Sequence, residues 1–360
     1  MARLPLIPFE LPDADKIGAA AVNLFDLLAR GGLADLRPMP ARIVEEAPQG
    51  TLYRYTLKDE ARAKGLPLLL VPPLAAPSLC FDLRRGCSMV EHLVNQNRRT
   101  YLVDYGQMGL RDKDLGLEHW VNDVLPRAVE STLADSGEEE IHLAGWCLGG
   151  IMSLLTQAAH QLPVRSISAV ASPFDAKALR IVAPIRPVAI ADGGLLVTTI
   201  YRLLGTAPAP LVHRAFWLTG IDKQITKPWA IARHLDDRDW LAQLEAVDHF
   251  MANMIAYPGR TFGQLYHRFF RVNELAAGKL KLRGRTIDLA DVEVPVLAVA
   301  GLGDVIAPKP AVHHVGDVLL RAPEVRLEVA PGGHLGVLAG RAARRTTWAY
   351  IDEFMAEYDE

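Results

Sequence analysis

Ile141-His142-Leu143-Ala144-Gly145-Trp146-Cys147-Leu148-Gly149-Gly150 reads as an apolar strand running into G-x-C-x-G-G, with an apolar helix over residues 148–160 after it. Glycines two positions before and two after a cysteine fit a sharp strand-to-helix elbow, because side chains there would collide as the chain reverses. The apex residue of such an elbow sits in a strained backbone conformation and projects its side chain outward. Here the apex carries sulfur. A thiol holds more of its reactive anion near neutral pH than a hydroxyl does, and a neighbouring imidazole is enough to take its proton. Cys147 is therefore the candidate nucleophile, set against the alternative that a free cysteine is a small apolar filler of the core.

Outward from the elbow, strands and helices alternate. Strands are expected at residues 51–57, 66–71, 100–104, 140–144 and 165–171, with helices at 88–96, 117–133 and 148–160 between them. Apolar strands separated by helices of regular period predict an α/β fold with a mostly parallel, doubly wound sheet. The rhythm breaks after Ser172-Pro173-Phe174-Asp175 and resumes with a buried strand at 294–300, a helix at 311–320, a strand at 325–329 and a helix at 341–357. The expected division is an N-terminal amphipathic helix and lead-in (1–40), a first part of the core (41–175), an inserted helical lid (176–291) and a second part of the core (292–360). In the lead-in, Ile17, Ala20, Val22, Phe25, Leu28 and Leu33 recur at roughly helical spacing over 13–36. Such a stripe packs on the body or meets a partner or a hydrophobic surface.

The partners of Cys147 are sought at the ends of the late strands. The strand at 294–300 leads into Gly301-Leu302-Gly303-Asp304, and Asp304 is the candidate acid that orients a histidine. The loop Pro331-Gly332-Gly333-His334-Leu335-Gly336 brackets His334 with glycines, which lets the ring reach across to a neighbouring loop; His334 is the candidate base. Each has an ordinary alternative: a turn or capping role for Asp304, a backbone-bonded loop histidine for His334. The chain order nucleophile, acid, histidine is the order of the α/β-hydrolase fold, and it ties the three together. The backbone N–H of Leu148, at the helix start, is one expected oxyanion donor, and Ala75 or Ala76, after the strand at 66–71, the other. Arg84 and Arg85 are read as a solvated pair before being read as phosphate ligands, and Cys80 and Cys87 as structural residues. His249 and Asn253 fit helix packing as well as an approach to the cleft.

Composition narrows the rest. A hydrophobic share of 50% with 22% charged residues is globular usage and argues against a disordered chain. A net charge of -3, with no long basic run, gives no electrostatic reason to expect nucleic acid. Three cysteines without metal-ligand spacing point neither to a disulfide framework nor to a metal site, and fit a reducing cytoplasm. Residues 1–9 lack the pattern of a secretion signal, and the apolar stretches 66–74 and 193–204 are too short or too interrupted to span a bilayer. No P-loop or dinucleotide fingerprint stands in its required setting, so no cofactor is expected.

These motifs together resemble the polyhydroxyalkanoate synthase family, and within it the short class III catalytic subunit, from about residue 52 to the end. The resemblance rests on Gly145 to Gly150, on Tyr101-Leu102-Val103-Asp104-Tyr105-Gly106, on Ala171-Ser172-Pro173-Phe174-Asp175, on Leu235-Asp236-Asp237, and on the segments holding Asp304 and His334. It implies an α/β-hydrolase core with a lid and a catalytic triad of Cys147, Asp304 and His334. It also implies a 3-hydroxyacyl coenzyme A thioester as substrate and a polyester as product. A hydrophobic granule or lipid surface, a second subunit or a homodimer are the partners it brings. The alternatives on the same scaffold are a cysteine hydrolase of lipid esters or acyl thioesters and a noncatalytic partner subunit. Where the family carries an asparagine near the oxyanion hole, this chain has Ala75-Ala76-Pro77.

Overall fold

A computed structural model describes residues 13–179, 199, 205–218 and 221–359, with the backbone alone at 215–218 and 221–225. Residues 1–9 and, apart from 199, the apolar stretch 193–204 up to residue 204 lie outside the described residues. Eight strands form the main sheet: β1 Ala41–Glu45, β2 Thr51–Tyr55, β3 Leu68–Val71, β4 Thr100–Asp104, β5 Ile141–Trp146, β6 Val164–Val170, β7 Val296–Gly301 and β8 Val325–Ala330. Their spatial order is β1-β2-β4-β3-β5-β6-β7-β8. β1 and β2 pair antiparallel, as do β2 and β4, and every later pairing is parallel. This is the α/β-hydrolase architecture. β3, β5 and β7 are buried along their whole length, as a sheet covered on both faces requires.

Strand β1 was not visible in the sequence, because it lies exposed at the sheet edge and carries no apolar alternation. The helix expected at 117–133 is a short turn Leu117–His119, a wider π-type turn Trp120–Val124, and a helix Leu125–Ser136. Pro126 supplies the reason: without an N–H it cannot continue the ordinary ladder. The helix expected at 311–320 is two short helices, Lys309–His313 and Val315–Val318, and the last helix runs Thr347–Tyr358 instead of starting at 341. Between β6 and β7 the described helices are Ala209–Leu218, Ile221–Arg233, Arg238–Ala252 and Gly259–Gln264, the last continuing as a π-type turn through Val272.

The N-terminal helix is shorter than its apolar stripe implied, Ala14–Ala29, and it ends where Gly31 and Gly32 take positive φ values. Its buried residues are Asn23 and Asp26. Asn23 donates to the carbonyl of Leu235 at 2.9 Å, and Arg238 donates to Asp26 at 2.6 Å, so the polar side docks on the segment around helix Arg238–Ala252. Phe25 and Leu28, at 57% and 80% exposure, face outward with Ile17 and Val22. Among the described residues no helix is long and apolar enough to cross a membrane.

Candidate active site

At the elbow, Cys147 holds φ 54 and ψ -120 between β5 and the helix Leu148–His160. Its N–H donates to the carbonyl of Val170 at 2.8 Å, which pins the apex to the end of β6. The flanking glycines are forced. A Cβ on Gly145 would lie 2.4 Å from the nitrogen of Gly150, and one on Gly149 would lie 2.1 Å from the carbonyl oxygen of Val71. Backbone meets backbone at both points, so no side chain can yield. The second contact also shows that the end of β3, which leads to Ala75 and Ala76, presses on the elbow.

Asp304 follows β7 and is buried, and its carboxylate is fully used. Oδ1 accepts from the backbone N–H groups of Ile306 and Ala307, each at 2.8 Å, and Oδ2 accepts from Nδ1 of His334 at 2.8 Å. An ionised carboxylate has no proton to give, so Nδ1 carries the hydrogen and Nε2 is left to take one. The two loops are stitched together by the N–H of Gly303, which donates to the carbonyl of Gly332 at 2.8 Å. Gly332 has φ 124, and a Cβ there would stand 2.7 Å from Gly336, so the sharp histidine loop needs that glycine.

Nε2 of His334 is buried and makes no hydrogen bond among the described residues, and Cys147 lies near enough to act on the ring. Sulfur is large and weakly directional, and apo contacts between a thiol and an imidazole are commonly long. Burial of the ring pulls its pKa down; the charge on Cys147 and the bond to Asp304 outweigh it and hold the imidazole above its ordinary value. Asp304 and His334, thirty residues apart, thus meet directly, and Cys147 is close enough to influence the charge of the ring.

Cys147 is partly exposed and opens into a cavity of about 170 Å³. The lining is apolar: Leu148, Ile151, Phe174, Leu265, Phe269 and Leu275 are among its walls. Asn273 is one polar member of the lining, and its amide is already engaged with the N–H of Ala176 and the carboxylate of Asp175, at 2.7 Å each. Tyr257 also lines the cavity, where burial, with the charge of Cys147 second, pushes its phenol pKa up and keeps it protonated. A larger, open groove of about 600 Å³ runs along the other side of residues 259–272, past Lys113, Arg260 and Arg268, but Cys147 is not part of its wall.

The remaining sequence expectations divide. Leu148 lines the cavity with Cys147, whereas Ala75 and Ala76 line a separate void of about 10 Å³ with Asp104 and Ile255. Ala75 has φ 64, and its carbonyl accepts from Ile255 at 2.9 Å. Arg84 is not solvated. It is buried, bonded to Gln243 and Asp239 of helix Arg238–Ala252, while Arg85 binds the carbonyls of Arg37 and Pro38. Both arginines fasten neighbouring segments together and neither lines the cavity of Cys147. His249 and Asn253 are exposed, and Asn253 donates to the carbonyl of His249 at 2.8 Å. Cys80 and Cys87 are buried, and burial raises both thiol pKa values. Among the described residues no group of His, Cys, Asp and Glu is arranged to hold a metal ion. Sequence reasoning passed over Trp146 and Tyr257, although Trp146 stands next to the cysteine.

No family model matches the chain. It is 27% identical over 340 residues to the poly(3-hydroxyalkanoate) polymerase subunit PhaC of Allochromatium vinosum, spanning 92% of each chain. It is 26% identical to the subunit of the same name from Thiocystis violacea, over 92% of this chain and 91% of the relative. Among solved structures, alpha/beta hydrolase domain-containing protein 10 from mouse superposes with a TM-score of 0.52 at 15% identity. That match covers 89% of this chain and 99% of the mouse protein, and it bears on the fold alone.

Proposed function

We propose that this chain, a member of the polyhydroxyalkanoate synthase family, moves a 3-hydroxyacyl group from coenzyme A through a thioester on Cys147 to a hydroxyl acceptor. The observation that carries the reading is the bond from Asp304 to Nδ1 of His334, together with a Cys147 that acts on the same ring, sits at a strained elbow and opens into an apolar cavity. The thiolate of Cys147 attacks the thioester carbonyl. The coenzyme A thiolate leaves with the proton that His334 had taken from Cys147. In the second half, the hydroxyl of another monomer or chain end attacks the Cys147 thioester. Its proton goes to His334, which returns it to the departing thiol.

An acyl group passed from one thiol to another keeps nearly all of its transfer potential, which is the chemical argument for sulfur at the elbow. Negative charge on the carbonyl oxygen falls to the N–H of Leu148, which has no acceptor in its own helix, and to Ala75 or Ala76 after β3. An apolar cavity favours a hydroxyl acceptor carried on an acyl chain over water. In this reading the segment 176–291 is the lid, the setting is cytoplasmic, no cofactor is required, and the outward row of Ile17, Val22, Phe25 and Leu28 is the surface for a granule, a lipid surface or a second subunit.

The test supplies 3-hydroxybutyryl and longer 3-hydroxyacyl coenzyme A, then follows free thiol together with the fate of the acyl group. Polymer, with a covalent acyl adduct on the Cys147 peptide that is lost in Cys147→Ala, is the expected result. Release of free hydroxyacid alone assigns the triad to a hydrolase, and turnover retained in Cys147→Ala removes the mechanism.

A further inference from the structure

The residue immediately before Cys147 is itself bonded to the loop that carries the base. Trp146 is buried, and its indole Nε1 donates to the backbone carbonyl of His334 at 3.0 Å. Its ring lies 5.1 Å from the imidazole of His334, centroid to centroid, with the planes at 41°. Its other neighbour is Phe250 of helix Arg238–Ala252, edge-on at 6.0 Å. No other described contact joins the nucleophile's own strand to the His334 residue by both a hydrogen bond and a ring face.

We propose that Trp146 is a positioning residue that sets the spacing of Cys147 and His334 and presents an aromatic face to the imidazole, a role that rests on the proposed use of these two residues. Cys147 and His334 lie on loops far apart in sequence, so their separation is not fixed by local geometry. Asp304 fixes one ring nitrogen and therefore the ring's rotation; it does not fix how far the histidine loop stands from the elbow. The indole N–H does, because Trp146 is one peptide bond from the nucleophile and its donor reaches the backbone of the base. The ring separation is inside the roughly 6 Å at which an aromatic face attracts a cation, so the indole favours the imidazolium that forms when the thiol gives up its proton. Phe250 packs against the same indole, so a displacement of the helix Arg238–Ala252 is felt at the base through one side chain.

Two variants separate the two contributions. Trp146→Phe keeps a ring and removes the donor; Trp146→Leu removes both. Iodoacetamide labelling of the Cys147 peptide, followed by mass spectrometry from about pH 5 to about pH 10, reads the thiolate directly and needs no substrate. The buried Cys80 and Cys87 peptides serve as internal controls. Trp146→Phe should leave the labelling profile near that of the parent while kcat falls about fivefold at nearly constant KM, the loss expected of one ordinary hydrogen bond. In Trp146→Leu the rise of labelling should move to higher pH by about half a unit or more, because the imidazolium loses its aromatic neighbour and no longer favours the thiolate. In the parent protein, protonation of His334 should quench the indole, so the fluorescence difference between parent and Trp146→Phe should titrate with pH and stop titrating in His334→Gln.

A parental labelling profile and parental kcat in both variants, with their melting temperatures unchanged, overturn the proposal. If Trp146→Leu does not fold, the Trp146→Phe kinetics and the fluorescence titration decide it, and a flat titration with parental kcat counts against it. Failure of the functional reading is seen separately, as absence of a substrate-derived acyl group on Cys147 in the parent protein.

Discussion

In the helix Leu148–His160 every residue from Leu148 to Ala159 is buried, whereas in the helix Ala14–Ala29 the buried residues are Asn23 and Asp26. Both helices are rich in apolar side chains, and the protein uses them in opposite ways. The first sits between the sheet and its covering layer, so every direction from its axis meets protein. The second touches the body along its polar side, where Asp26 meets Arg238 and the loop after the helix is caught by Glu245, which accepts from the N–H groups of Leu33 and Ala34 at 2.7 and 3.0 Å. An apolar stripe marks a helix; what lies against the stripe is decided elsewhere in the chain.

Four measurements sharpen or break this contrast. The largest effect is expected at the start of the buried helix, where Cys147→Ala should lower acyl transfer by about ten-thousandfold with little change in melting temperature. A loss smaller than tenfold would mean that the elbow is scaffold only. Within the same helix, Leu154 is fully buried, and Leu154→Ala should cost about 3 kcal/mol in chemical denaturation.

A partly buried polar tie in the body offers the counterpart to Asp26. Asp359 accepts from Arg98 at 2.7 and 2.9 Å, from the N–H of Leu66 at 2.9 Å, and contacts Nε2 of His142 at 3.2 Å. Burial works to raise its pKa, but the bonds to Arg98 and His142 prevail and hold it below the ordinary carboxylate value. A lowered folded-state pKa means stability that is present above the unfolded value, near 4, and lost as pH falls below it. The expected contribution is about 2 kcal/mol, so Asp359→Asn should melt earlier at neutral pH and respond less to acid than the parent. A parallel fall of both proteins with acid would assign the pH dependence to other groups. The smallest effect belongs to the outward face of the N-terminal helix: Leu28→Ser should change stability by less than about 0.5 kcal/mol while weakening adsorption to apolar vesicles or polymer. A loss comparable to that of Leu154→Ala would show that this face is covered in solution.

Much of the site was legible because its parts are local. The glycines around Cys147 announce the elbow by their spacing, and Asp304 and His334 each follow an apolar strand in the right order. What escaped has a non-local cause. Arg84 looks like any surface arginine until Asp239 and Gln243 from a distant helix close over it. Trp146 was in view beside the cysteine, but its bond to the carbonyl of His334 spans 188 positions of sequence. The walls of the cavity come from residues on both sides of β7, and no periodicity within any one segment foretells that they share a space.

By itself, the amino-acid sequence determined the alternation of strand and helix, the strained apex and the order of sulfur, carboxylate and imidazole, because steric limits on glycine and the periods of regular structure act between near neighbours. Only the tertiary structure decided the distance between His334 and Asp304, the apolar space beside the thiol, and the outward turn of the first helix. Those depend on which distant surfaces exclude water from one another, and that is settled by packing across the whole fold.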